Sequence, residues 1–284
     1  MTRPAATQRA HTDTFIATAR EEASRASSLA SSFLTLRDIG LSYGERAILR
    51  GVDLSVAPGE LVAVLGPSGS GKSTLLRIAA GLLRPSRGTV TVADAPLTGP
   101  RPDVALAFQD PCLLPWLSVE RNVAFGLTFS RQPALSRETR RARIDAALAE
   151  VGLAHAHGLH PRQLSGGMAQ RVALARCLAR QPRALLLDEP FGALDEVTRA
   201  DMQRLLVTVV HDTGAATVLV THDIDEALLI SDRIVLLGNQ GRTLAQWQVD
   251  VPAPREAHVE AMGTLRIEIL QALQRAMSRE STPA

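Results

Sequence analysis

Short apolar runs punctuate this chain, and their lengths are those of strands. Phe33 to Leu36 and Ile48 to Val56 read as strands separated by Tyr43-Gly44-Glu45, which has the residues of a turn. After Pro58-Gly59 comes Leu61-Val62-Ala63-Val64-Leu65, apolar at every position, as expected of a strand covered on both faces of a parallel sheet. Similar runs recur at Val104 to Phe108, Ala184 to Leu187, Thr217 to Thr221 and Ile234 to Leu237, with helical segments between most of them. That alternation predicts an α/β fold with a largely parallel sheet.

Between Asp110 and Arg162 no such run occurs. Ser136 has the chemistry of an N-cap for a helix with Ile144, Ala147, Leu148 and Val151 on one face, and Arg137, Arg140, Arg141 and Arg143 near its start on a solvated one. The expectation is a helical subdomain, about 110–180, inserted into the sheet domain. Val259, Met262, Leu265, Ile269, Leu273 and Met277 follow helical spacing, so 256–284 reads as a closing amphipathic helix and tail. Residues 1–32, rich in Ala, Ser, Thr and Arg, lack the apolar stretch of a secretory signal, and Asp13, Glu21 and Glu22 argue against an organelle transit peptide. A poorly ordered tail is expected there.

Composition sharpens this picture at a few points. The formal net charge is +2 and the basic residues are scattered, which argues against a dedicated nucleic-acid binder. Cys112 and Cys177 are too few for a disulfide framework and fit a reducing compartment. No window approaches the roughly 18 consecutive apolar residues of a membrane span. Among 31 basic residues there is one lysine, Lys72. In a chain that otherwise uses Arg, a surviving Lys marks a place where a compact ammonium is needed.

Lys72 lies in Gly66-Pro67-Ser68-Gly69-Ser70-Gly71-Lys72-Ser73, which fits G-x-x-x-x-G-K-[ST] between a buried strand and a helical run, Thr74 to Ala80. The glycines let backbone N–H groups turn toward phosphate oxygens, and the helix presents its positive end to the same anions. Lys72 is expected to reach the β- and γ-phosphates and Ser73 to hold Mg²⁺. Asp188-Glu189 ends the Ala184 to Leu187 strand at the edge where ligands of open α/β sheets bind. Asp188 suits a contact to Mg²⁺ through water, and Glu189 suits a general base. With no second Lys for a guanine-reading Asn-Lys-x-Asp motif, the nucleotide expected is ATP.

At Leu164-Ser165-Gly166-Gly167-Met168-Ala169-Gln170-Arg171 the chain resembles the signature of ATP-binding cassette (ABC) ATPases, over roughly residues 33–255. The resemblance implies a P-loop core with a mostly parallel sheet, a small antiparallel β subdomain and the inserted helical subdomain. It implies Tyr43 stacking on adenine, and Gln109 touching Mg²⁺ and the reacting water. Asp195 matches the aspartate loop between subunits and His222 the switch histidine at the γ-phosphate. Thr74 joins the nucleotide-binding loop. Ser165, Gly166, Gly167 and Met168 are implied to face ATP held by a second copy, giving a head-to-tail homodimer. Met168 stands where many members have Gln, and Gly192 where Ser is common. His155, His157 and His160 cluster in sequence without a matching carboxylate or Cys, which does not make a metal site.

Leu113-Leu114-Pro115-Trp116-Leu117 is apolar and follows Gln109; it reads equally as packing or as a docking loop. In the family this region receives a transmembrane permease subunit. A cassette on a chain without a span resembles importer ATPases, which implies a periplasmic or lipoprotein solute-binding protein as a further partner and a peripheral place on the cytoplasmic face of the inner (cell) membrane. Leu113 to Trp116, Met168 to Arg171 and Val249 to Arg255 look most like the nitrate, sulfonate and taurine group, with Met-Ala-Gln-Arg leaning toward aliphatic sulfonate importers and Ala253 departing from an Arg often found there. Nitrate, taurine or a related solute, and a soluble cassette ATPase outside transport, are the alternatives.

Overall fold

The computed structural model describes residues 32–129, 131–192 and 194–278. The tail expected over 1–32 lies outside them except for Ser32, as does the end of the chain from 279.

The chain opens with an antiparallel hairpin of β1 (Leu34–Tyr43) and β2 (Arg46–Val56). β1 runs well past Leu36, where the apolar pattern seemed to stop. Asp38 takes a left-handed conformation (φ +51°) and donates its N–H to Asp53 Oδ1 at 2.8 Å, so the strand bulges and pairing resumes at Ile39 with Val52. β3 (Leu61–Leu65) is buried throughout and leads into α1 (Lys72–Ala79), which begins two residues earlier than its apolar run suggests. β4 (Arg87–Val92) and the two-residue β5 (Ala95–Pro96) complete a four-stranded sheet in the order β2-β1-β4-β5.

The second sheet contains β3, β6 (Val104–Ala107), β7 (Ala184–Asp188), β8 (Ala216–Val220), β9 (Arg233–Leu237) and β10 (Thr243–Gln248), in the order β10-β9-β3-β8-β7-β6. All neighbours are parallel except β10 with β9. The two-residue period of a strand distributes its apolar side chains to two cores. Val62, Val64, Leu186, Val218 and Val220 pack with Leu75, Leu76 and Ile78 of α1 and with the β1–β2 hairpin. Leu185, Leu187 and Leu219 face the other way, into a second core with Val119, Ile144, Leu148, Leu174 and Leu206. Each such side chain contributes roughly 1.5–3 kcal/mol by leaving water.

Between β6 and β7 lies a helical layer. α2 (Val119–Ala124), α3 (Arg137–Glu150) and α4 (Gly166–Leu178) each start at a serine, Ser118, Ser136 and Ser165, whose hydroxyl accepts a backbone N–H of the first turn. Asn122 is fully buried; its amide donates to the carbonyls of Leu114, Leu117 and Ser118 and accepts the Leu114 N–H. That one side chain fixes the 113–117 loop and leaves Trp116 70% exposed at its tip.

After β7 come α5 (Glu196–Thr213), α6 (Ile224–Ile230) and α7 (Val259–Ser278). Arg255 donates to the carbonyls of Leu228 and Ser231 at 3.0 and 2.7 Å, closing the C-terminal end of α6 and fastening the linker to α7. Of the apolar row expected on α7, Ile269 is buried and Met262, Leu265 and Leu273 pack beside it. Val259 and Met277 are exposed, so the helix meets the core only along its middle. Among the described residues no helix is long and apolar enough to cross a membrane.

Candidate active site

The loop after β3 has no space for a side chain at its first position. A Cβ on Gly66 would lie 2.2 Å from the Leu237 carbonyl oxygen, so backbone contact with the end of β9 requires glycine. At the other end Gly71 (φ +93°) caps α1 without a side-chain hydrogen bond, and no acid stands in the helix's first turn. First-turn N–H groups are therefore left for an external anion. Ser70 points its buried hydroxyl into the loop without a partner among the described residues. Ile48 and Leu49 of β2 abut Gly71, which brings the hairpin carrying Tyr43 against the loop. Tyr43 itself is 59% exposed, at the turn end of that hairpin.

Lys72 is nearly buried, and its Nζ donates to the carbonyls of Gly66 at 2.8 Å and Pro67 at 3.0 Å. Burial lowers its pKa, against the pull of Glu189 and Asp188. Ser73 donates its hydroxyl to Asp188 Oδ1 at 2.9 Å. Burial raises the Asp188 pKa, partly offset by that Ser73 bond. This hydroxyl–carboxylate pair is a hard-oxygen donor set that fits Mg²⁺.

Glu189, one residue beyond β7, adopts φ +45°, a left-handed conformation uncommon for a residue with a side chain. It turns the carboxyl toward two partners: Gln109 Nε2 donates to Glu189 Oε2 at 3.3 Å, and His222 Nδ1 stands 3.3 Å from the same oxygen. Gln109 is in turn held by Gln170 of α4, whose Nε2 donates to its carbonyl at 2.9 Å. Lys72, Ser73, Gln109, Asp188, Glu189 and His222 thus converge at one edge of the parallel sheet from four separate stretches of chain.

The signature lies elsewhere. Ser165 accepts the Met168 N–H at 3.2 Å, and no hydrogen bond or ion pair joins Ser165–Met168 to the Lys72 loop among the described residues. Gly167 packs against α5, where its Cβ would come 2.4 Å from Thr198 Cγ2. Thr198 also ties down Asp195, whose two carboxylate oxygens accept its N–H at 3.1 Å and its hydroxyl at 2.7 Å. Those bonds hold the Asp195 pKa low. The signature turn and the aspartate loop therefore share one contact within the chain. His157 lies 3.7 Å from Asp145, and among the described residues no three His, Cys, Asp or Glu side chains gather as a metal-holding group.

The ABC transporter family model matches residues 49–192, from β2 past the acidic end of β7. The chain belongs to the ABC transporter family. The cassette is 48% identical to the aliphatic sulfonates import ATP-binding protein SsuB 1 of Xanthomonas axonopodis pv. citri, over 86% of this chain and 98% of that one. It is 45% identical to SsuB 1 of Pseudomonas aeruginosa, covering 87% and 98%. Among solved structures it resembles the dimeric post-hydrolysis cassette MJ0796 bound to ADP and Pi, with TM-score 0.68, 34% identity and coverage of 76% and 98%. It likewise resembles cbiO1 from Clostridium perfringens, with TM-score 0.71, 29% identity and coverage of 88% and 99%. The fold is that of an ABC ATPase, and the cassette is an ATP-binding enzyme of that class.

Two groups of this ABC ATPase were not singled out in the sequence. Gln170, nearly buried, fastens the signature helix α4 to Gln109; its only mark in the sequence is its place inside the Leu164–Arg171 motif. Glu226 on α6 is a buried acid beside the His222 loop, marked only by standing on the apolar side of Ile224–Ile230.

Proposed function

We propose that this chain is the ATP-hydrolysing subunit of a membrane importer for aliphatic sulfonates. The observation that carries the hydrolytic reading is the convergence of Gln109 and His222 on Glu189 Oε2, beside the Ser73–Asp188 pair and the Lys72 loop. The loop N–H groups, the free Ser70 hydroxyl and Lys72 bind the phosphates of ATP, Thr74 lies in the same first helical turn, and Tyr43 covers the adenine. Ser73 and Asp188 would hold Mg²⁺ beside Gln109, and bound Mg²⁺ supplies charge neutralisation on the phosphate oxygens. Glu189 accepts a proton from the attacking water as its oxygen bonds to the γ-phosphorus and the bond to the β–γ bridging oxygen breaks, giving ADP and phosphate. His222 and Lys72 face the charge that develops on the γ-phosphoryl oxygens.

Two copies arranged head to tail would place Ser165, Gly166, Gly167 and Met168 of each against the nucleotide of the other, with Asp195 between subunits; the dimeric cassette of 34% identity supports this reading. The exposed Trp116 loop offers the aromatic anchor for a transmembrane permease, and a solute-binding protein would deliver the sulfonate. These partners place the cassette at the cytoplasmic face of the inner membrane. The sulfonate assignment is supported by the names of relatives at 45–48% identity.

The test is Glu189→Gln. Steady-state phosphate release should fall at least about 100-fold while ATP binding persists and a nucleotide-dependent dimer accumulates. Hydrolysis at the unmodified rate would refute the base assignment. Uptake of an alkanesulfonate by vesicles holding the cassette with its permease, against nitrate and taurine, tests the solute.

A further inference from the structure

Helix α6 buries Ala227, Leu228 and Ile230 and, among them, an acid. Glu226 is 6% exposed, and its Oε1 has no hydrogen-bond partner among the described residues. Charged groups face it from three directions: Asp223 at the start of its own helix, Arg199 from α5 and Glu189 beyond β7. The Thr221 hydroxyl faces the same carboxyl as a hydrogen-bond donor. Together with His222 these groups line a cavity of about 70 Å³. Its polar walls and size suit one or two water molecules. The base Glu189 and the buried Glu226 thus line a single small chamber.

We propose that Glu226 is a positioning residue for hydrolysis: through Thr221 and water in this cavity it holds the loop bearing His222 against Glu189. The inference rests on the reading of Glu189 as the base. Thr221 Oγ1 accepts the Asp223 N–H at 3.0 Å, so the hydroxyl that faces the Glu226 carboxyl is itself tied to the backbone flanking His222. Arg199 does not serve as the counter-ion of Glu226. Its guanidinium donates to the Leu194 carbonyl at 3.1 Å and stands 3.6 Å from Glu196 and 3.9 Å from Asp223.

Without a close cation, the carboxyl is the neutral acid near pH 7: burial first, and then Asp223, push its pKa up to about 8. The neutral acid has a proton to donate into the cavity. As pH rises through about 8 that donor is lost and a negative charge appears beside Asp223 and Glu189. The water-borne part of the support for the His222 loop is therefore complete below this value and withdrawn above it, while the Thr221 hydroxyl, which favours the ionised form, stays in place. Lys72 loses its proton in the same direction, so the diagnostic is the difference between profiles of the native chain and a variant.

The experiment compares the full chain, Glu226→Gln and Glu226→Ala for Mg-ATP hydrolysis from about pH 7 to about pH 9. Relative to its own value at neutral pH, the native rate should fall about threefold more than that of Glu226→Gln, which keeps a neutral donor at every pH. Glu226→Ala should lower kcat about tenfold with KM for ATP changed less than about twofold. Equal alkaline falls in the native chain and Glu226→Gln would overturn the proposal. So would failure of Glu226→Gln to fold, because a neutral isostere is what the cavity is inferred to accept. Glu189→Gln is assayed in parallel: hydrolysis by that variant removes the base assignment, whereas an inactive Glu189→Gln with superposable native and Glu226→Gln profiles removes only the role of Glu226.

Discussion

Replacing Lys72 by Arg separates charge from geometry at the phosphate loop. In the structure Lys72 Nζ gives two hydrogen bonds to the loop, at 2.8 Å to Gly66 and 3.0 Å to Pro67, leaving one N–H for a phosphate oxygen. A hydrogen bond to a charged group is worth about 1.5–3 kcal/mol, so losing the third bond weakens ATP binding roughly 10- to 150-fold. Arg keeps the charge, but no nitrogen of its planar fork carries three donors, and the Lys72 site is only 7% exposed. Lys72→Arg should therefore resemble Lys72→Met, with affinity down by that factor, and not the native chain. The assay is calorimetric titration with a non-hydrolysable ATP analogue, alongside a nucleotide-free thermal melt to establish folding. Binding by Lys72→Arg within about threefold of native would refute the reasoning, because it would mean that charge alone is required.

Gly167→Ala should impair hydrolysis more than ATP binding: its Cβ would meet Thr198 Cγ2 at 2.4 Å and push on the Asp195 cap, and adding Thr198→Ser in the same chain should restore part of the rate. Trp116→Ala should reduce co-purification with the permease while shifting stability by no more than about 0.5 kcal/mol in a thermal melt, since the side chain is mostly exposed.

The parallel core was legible because a strand buried on both faces must be apolar at every position, and Leu61–Leu65 and Ala184–Leu187 satisfy that locally. The phosphate loop was legible because its chemistry lies in consecutive residues. β4, β5 and β10 were not, since they lie outside that continuously apolar core and are set by pairing with β1 and β9. The continuation of β1 depends on Asp38 finding Asp53, fifteen residues away. The Gln109–Glu189 contact spans 80 positions, so resemblance alone brought the two together before the structure did. Glu226 escaped notice because its setting comes from Arg199, Thr221 and Glu189, none of them adjacent in sequence.

The helical layer leaves the sheet after β6 and returns at β7, and these are neighbouring strands, with Ala107 opposite Leu187. Its entry and exit are therefore adjacent on the sheet edge. An insertion attached at two touching points can change its length, its loops and its exposed anchor while Leu61–Leu65 and the loop after it stay where they are. Natural variation in partner choice can accumulate in the loops and exposed anchor of that module without re-solving the phosphate loop, with the Ser165–Met168 turn and the tie of Gln109 to Gln170 as the parts that every exchanged module must preserve.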